Sequence, residues 1–107
     1  MKILITGASG QLGSELKGVL KQLESVEAFF LDRKHLPLDQ LILIHDILGM
    51  YQPDIIVHTA AYTAVDRAEN DKQAADTVNH LATAEIAQYC HIHGTRLIAI
   101  SPDYVFE

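Results

Sequence analysis

Residues 6–16, Thr-Gly-Ala-Ser-Gly-Gln-Leu-Gly-Ser-Glu-Leu (TGASGQLGSEL), decide how this chain is read. Gly7, Gly10 and Gly13 fall at every third position, directly after the apolar run Lys2-Ile3-Leu4-Ile5. That run reads as a buried strand. Beyond it Leu12, Leu16, Val19, Leu20 and Leu23 recur at helical spacing, so a helix follows the glycines. A glycine turn between a strand and a helix N-terminus is suited to a pyrophosphate. Backbone N–H groups and the positive end of the helix dipole attract the anion, and glycine lets it come close. The alternative is that Gly7, Gly10 and Gly13 serve only a tight turn and close helix–strand packing. An ATP-type loop is a poor rival, because no Gly-Lys-Ser/Thr follows at the required spacing.

Outward from this loop the chain alternates strand and helix. Val26 to Leu31 is a second strand, ending at Asp32-Arg33. Pro37 marks a loop, and Asp39 is the expected N-cap of a helix running to about Tyr51. Pro53 launches a third strand over residues 54–58. Residues 60–71 read as a loop. Lys72 to His93 is a long helix with Ala75, Val78, Ala82, Ile86 and Tyr89 on one face and Gly94 as its stop. Arg96 to Ile100 is a fourth strand. The order β-α-β-α-β-α-β predicts an α/β fold: a Rossmann-type doubly wound parallel sheet, truncated after strand 4, with strand order 3-2-1-4. Strand 4 is then expected to be an open edge, which invites pairing with another chain. The second helix, with Leu41, Ile42, Leu43, Ile44, Ile47, Leu48, Met50 and Tyr51, is more apolar than one buried face requires. Self-association through strand 4 or this helix, as a homo-oligomer, is therefore expected.

Asp32 supports the dinucleotide reading. It ends strand 2, 19 residues after Gly13, close to where an acidic group meets the adenosine ribose hydroxyls. Arg33 beside it could receive a 2′-phosphate. The pair suggests NAD, with NADP as the alternative. Otherwise Asp32 is a solvated strand-end carboxylate and Arg33 an ordinary surface arginine.

Size and charge narrow the remaining classes. The chain has 107 residues, enough for one domain. With 8 basic and 14 acidic residues it carries about −6 and shows no basic patch, which argues against nucleic acid. No apolar run approaches the ~18 residues of a membrane span, and the N-terminus lacks a signal-peptide layout. The single Cys90 cannot form an internal disulfide, which fits a cytoplasmic setting. Cys90 reads as a buried, inert thiol. His91 and His93, two apart on a helix, point to different faces, so no metal site is expected; they suit the dipole at the helix C-terminus. His58 reads as a packed strand-end histidine, Asn79 as a structural helix residue, and residues 66–72 as a solvated charged face.

Several strings together, "ITGASGQLGSEL", "LDR" at 31–33, "QPDIIVHTAAYTAVDRAE" at 52–69, "VNHLATAEIA" at 78–87 and "ISPDYVF" at 100–106, resemble the dTDP-4-dehydrorhamnose reductases. These are extended short-chain dehydrogenases that complete dTDP-L-rhamnose synthesis. The resemblance runs from end to end. It implies that Gly10, Gln11 and Leu12 hold the pyrophosphate and that Asp32 takes the adenosine ribose. Ala60, Ala61 and Tyr62 would line the cofactor, and Ser101 would lie near the nicotinamide ribose. The family reduces the 4-keto group of a dTDP-sugar with hydride from NADH or NADPH, using a Tyr-x-x-x-Lys pair and a Ser or Thr. Three departures stand out. No Tyr-x-x-x-Lys pair occurs among these residues, Pro102 replaces the Thr of the family's "STDYVF", and Pro37-Leu38 replaces its Asp-Ile or Asp-Val. No catalytic residue is therefore assigned, and the chain is expected to be the incomplete cofactor domain of an oxidoreductase, inactive alone. The dTDP-sugar would be a partner only in a full-length protein. The alternative is a non-catalytic dinucleotide-binding or interaction module from a truncated paralogue.

Overall fold

A computed structural model describes residues 1–7, 11–32, 34–59, 72–100 and 105–106, with the side chains of Gln11, residues 72–79 and residues 105–106 excepted. Among the described residues, five strands and three helices follow in chain order: β1 (Lys2–Thr6), α1 (Gln11–Leu20), β2 (Glu27–Leu31), α2 (Leu41–Tyr51), β3 (Ile55–His58), α3 (Lys72–His93), β4 (Arg96–Ile100) and β5 (Val105–Phe106). The first four strands form the expected parallel, helix-flanked sheet.

β1 lies inside the sheet. It pairs in parallel with β2, from Lys2 opposite Glu27 to Thr6 opposite Leu31. On its other side it pairs with β3, from Ile3 opposite Ile55 to Thr6 opposite His58. The sheet order is β2-β1-β3-β4-β5, not the expected 3-2-1-4. The third strand does not continue outward beyond β2. It returns across β1 and settles on the far side. Right-handed crossovers require this change of direction to be matched by a change of face. Phe29 and Leu31 of β2 contribute to the core beneath α2 and α3. Phe30 points the other way, with Lys17 Nζ of α1 5.9 Å from its ring centroid. So α1 covers one face, and α2 with α3 covers the other.

A second correction concerns the edge. β4 is not fully open: β5 pairs antiparallel with its carboxyl end, Ala99 opposite Phe106 and Ile100 opposite Val105. Two residues of a returning strand satisfy backbone groups that a bare edge would present to another chain.

The core lies between the sheet and the α2–α3 pair. Leu4, Ile44, Leu48, Ile56, Ala82 and Ile86 are fully buried there. Leu36 and Leu38 of the β2–α2 connection fold into the same cluster, so the loop expected at Pro37 is packed rather than splayed. Tyr89 Oη donates to the Leu48 carbonyl at 3.3 Å, tying α3 to α2. Cys90 lies in this core, and burial pushes its thiol up to about 11, which matches the inert reading. On the outer side of α2, Ile42 is 86% and Met50 78% exposed, the apolar excess noted in the sequence. Val19 of α1 is also exposed, so the apolar stripe of that helix is only partly used.

The helix ends follow local chemistry. α2 is preceded by Gln40, which makes no side-chain cap bond; Asp39 is not the N-cap, because a turn closed by Gln40 N–H on the Pro37 carbonyl places the first helical residue later. α3 stops at Gly94, as expected, with φ +69°. Thr95 N–H then reaches back to the Cys90 carbonyl at 2.9 Å, the wrap that a left-handed glycine permits.

Gly94 and Gly49 both have open space where a Cβ would go, but only Gly94 has a positive φ. Gly94→Ala should therefore destabilise by about 1 kcal/mol through backbone strain alone. Gly49→Ala, inside α2, should stabilise by about 0.5–1 kcal/mol. Urea unfolding of the two variants checks the opposite signs.

Candidate functional site

The reversal of direction at β1 leaves a crevice at the carboxyl ends of β1 and β3, the place where ligands bind in open parallel sheets. The side chains around it are held by long-range contacts. Thr6 Oγ1 lies 2.7 Å from His58 Nδ1, and His58 Nε2 lies 3.0 Å from Thr83 Oγ1 of α3. Thr59 Oγ1 donates to the Thr6 carbonyl and lies 3.5 Å from that of Gly7. Thr6, His58, Thr59 and Thr83 together pin the exit of β1, where the chain turns into the glycine stretch. His58 is fully buried, as the packed strand-end reading expected. Burial lowers its imidazole to about 4, so it is neutral and gives one donor and one acceptor to the two hydroxyls.

Gly7 follows β1 with φ +68°, a conformation that glycine takes at little cost. Gln11 opens α1, followed by half-buried Leu12 and buried Gly13. The first turn of α1 contains no acidic residue, so nothing there offsets the dipole that would attract an anion. The register Thr6 opposite Leu31 sets Asp32 beside Gly7. Gly7 and Asp32 therefore stand on neighbouring carboxyl-end positions, and Gln11, Leu12 and Gly13 form the first turn of α1. Gly10, Arg33, Ala60, Ala61, Tyr62, Ser101 and Pro102 lie outside the described residues.

Asp32 does more than the sequence indicated. Its Oδ1 accepts from Lys34 N–H at 3.0 Å, His35 N–H at 3.1 Å and His35 Nδ1 at 2.7 Å. Its carbonyl accepts from Leu36 N–H at 2.8 Å, folding Leu36 into the core. The hydrogen bond from the His35 side chain, then that from its backbone, holds the Asp32 carboxyl below its ordinary value. Asp32 is thus an ionised acceptor whose Oδ2 receives no hydrogen bond from the described residues.

Sequence reasoning missed Thr6, Thr59 and Thr83 as pins, because each acts on a partner distant in the chain. His35 left a signal: an Asp followed by polar residues favours a turn closed on its own carboxylate.

The burial of His58 has a pH consequence. In the unfolded chain its imidazole titrates near 6.5, and in the folded protein near 4. Between these values the unfolded chain binds a proton that the folded one refuses, so stability falls as the pH is lowered through that window. The loss from this group is on the order of 3 kcal/mol. His58→Gln should flatten the change between about pH 7 and pH 4 relative to the parent; parallel urea-unfolding curves for the two proteins would refute it.

Comparison with known proteins places this arrangement. The family described as RmlD substrate binding domain matches residues 1–107. The dTDP-4-dehydrorhamnose reductase of Aggregatibacter actinomycetemcomitans is 34% identical over 106 residues, 99% of this chain and 36% of that protein. The Burkholderia thailandensis protein of the same name is 40% identical over 107 residues, 100% of this chain and 35% of that one. The crystal structure of dTDP-4-dehydrorhamnose reductase from Bacillus anthracis, in complex with NADP, superposes with a TM-score of 0.77 at 32% identity. It covers 90% of this chain, which covers 34% of that one. The chain thus spans about a third of the length of the relatives it matches. The strings quoted from the sequence and the superposed sheet agree, and the chain belongs to the RmlD family of dTDP-4-dehydrorhamnose reductases.

Proposed function

We propose that residues 1–107 form the NAD- or NADP-binding part of an oxidoreductase that reduces the 4-keto group of a dTDP-linked 6-deoxysugar. The observation that carries this reading is the placement of Asp32 beside Gly7, at the β1–β3 reversal and ahead of the α1 N-terminus. A positive-φ glycine and a helix start without an acid suit a pyrophosphate, and a carboxylate with an oxygen to spare suits ribose hydroxyls. The residues present therefore fit a dinucleotide. Gly7, Gly10, Gln11, Leu12 and Gly13 would hold its pyrophosphate, Asp32 its adenosine ribose, and Arg33 a 2′-phosphate. Ala60, Ala61 and Tyr62 would line the cofactor, and Ser101 would lie near its nicotinamide ribose. When bound, the dinucleotide supplies the hydride. The Bacillus anthracis relative was solved in complex with NADP, which supports the same class of cofactor here.

The reduction itself is proposed for a whole protein of the relatives' length, because residues 1–107 hold no Tyr-x-x-x-Lys pair. Pro102, in place of the family's Thr, favours a second reading as a non-catalytic dinucleotide-binding module. A cytoplasmic setting fits the single buried Cys90, and exposed Ile42 and Met50 support self-association through α2.

Fluorescence titration with NADH and NADPH tests the binding step common to both readings. Saturable binding is expected. Gly10→Val, which adds a branched side chain where phosphate should approach, should weaken it at least about tenfold, ~1.4 kcal/mol. Unchanged affinity in a variant with the parent's circular dichroism and melting temperature would refute the loop assignment.

A further inference from the structure

The end of β1 is held twice, and both holds come from the end of β3. Thr59 Oγ1 donates to the Thr6 carbonyl and lies 3.5 Å from the Gly7 carbonyl. His58 Nδ1 lies 2.7 Å from the Thr6 hydroxyl. Thr6, His58 and Thr59 are each at most 1% exposed, so water does not compete for these bonds. A trans peptide group is planar, so fixing the Thr6 carbonyl also fixes the direction of the Gly7 N–H on its other side. Gly7 leaves β1 with φ +68°. Lacking a Cβ, it has no steric preference to keep it there, so its neighbours must.

A third hold reaches away from the sheet. His58 Nε2 lies 3.0 Å from Thr83 Oγ1 of α3. A neutral imidazole has one donor and one acceptor, so the two threonine hydroxyls take opposite roles, and both are needed to keep the ring in this orientation. Thr83 is flanked on α3 by Ala82 and Ile86, both fully buried in the core. The seating of the helix therefore fixes where the Thr83 hydroxyl stands. Helix, imidazole and strand end share one line of hydrogen bonds.

We propose that Thr83 is a positioning residue for the dinucleotide, acting through His58 and Thr6 to hold Gly7 and the turn it opens in the binding conformation. On the dinucleotide reading above, on which this rests, affinity scales with the fraction of molecules whose turn is in place. The linkage runs both ways. A ligand that binds only when the turn is in place also holds α3 on the sheet.

Hydrogen exchange and fluorescence titration of the 107-residue chain test both directions. With NADH at about ten times the Kd, exchange of the α3 amides in the parent should slow about tenfold. Thr83→Val keeps the side-chain shape and removes the hydroxyl. It should bind NADH about three- to tenfold more weakly, the scale of one lost hydrogen bond. At the same saturation, NADH should slow its α3 exchange less than in the parent. Thr83→Ser should restore both properties. Ile86→Val loosens α3 without touching the line of hydrogen bonds and should bind NADH as the parent does. Exchange of α3 in the parent that ignores bound NADH overturns the proposal. So does parent-like affinity in Thr83→Val, equal slowing in parent and Thr83→Val, or an equal loss of affinity in Ile86→Val; each leaves the dinucleotide reading standing. A parent that does not bind NADH overturns that reading, and the role of Thr83 with it.

Discussion

Handedness is the constraint on which the rest of this molecule depends. A right-handed crossover leaving β1 can carry the chain to either side of that strand, but each direction obliges the helix to lie on a different face. The chain uses both. α1 takes it to β2 on one face, and α2 returns it across β1 to β3 on the other. The chain leaves β1 toward β2 and leaves the neighbouring β3 toward β4, and it is at the carboxyl ends of these two strands that the proposed ligand groups collect. Had the third strand continued beyond β2, the chain would not reverse at β1, and His58 would not meet Thr6.

The two faces are not equivalent. Beneath α2 and α3 the sheet residues Leu4 and Ile56 are fully buried. On the α1 face Ile5 is fully buried, but Ile55, Val57, Ile98 and Ile100 are only half-buried. The fixed side of the molecule is thus the α2–α3 side, and the site leans on it. Thr83 and His58 carry that rigidity from α3 through β3 to the end of β1. Buried polar groups satisfied this way cost little when complete and a good deal when broken. The exit of β1, from which the glycine turn departs, is consequently tied to the packing of α3.

The strands and the long helix were legible in the sequence because their signals are local. Runs such as Ile55-Ile56-Val57 need only a parallel neighbour, and Gly94 supplies the left-handed residue that ends α3. The strand order was not legible, since apolar periodicity says nothing about the direction in which a crossover leaves. Nor was β5, whose two residues are too few to carry a pattern. The same division runs through the site. Gly7 and Asp32 announce themselves by spacing. The Thr6–His58 and His58–Thr83 contacts join residues 52 and 25 positions apart, and no local pattern encodes such a meeting.

Cys90 shows what this packing means for access. Its thiol lies in the seam between α3, α2 and the sheet, and burial keeps it protonated under ordinary conditions. A thiol reagent can attack only after α3 lifts from its bed, so the rate of labelling measures how often that seam parts rather than any reactivity of the sulfur. The molecule carries its own gauge of opening, placed on the helix from which the histidine at the site takes its support.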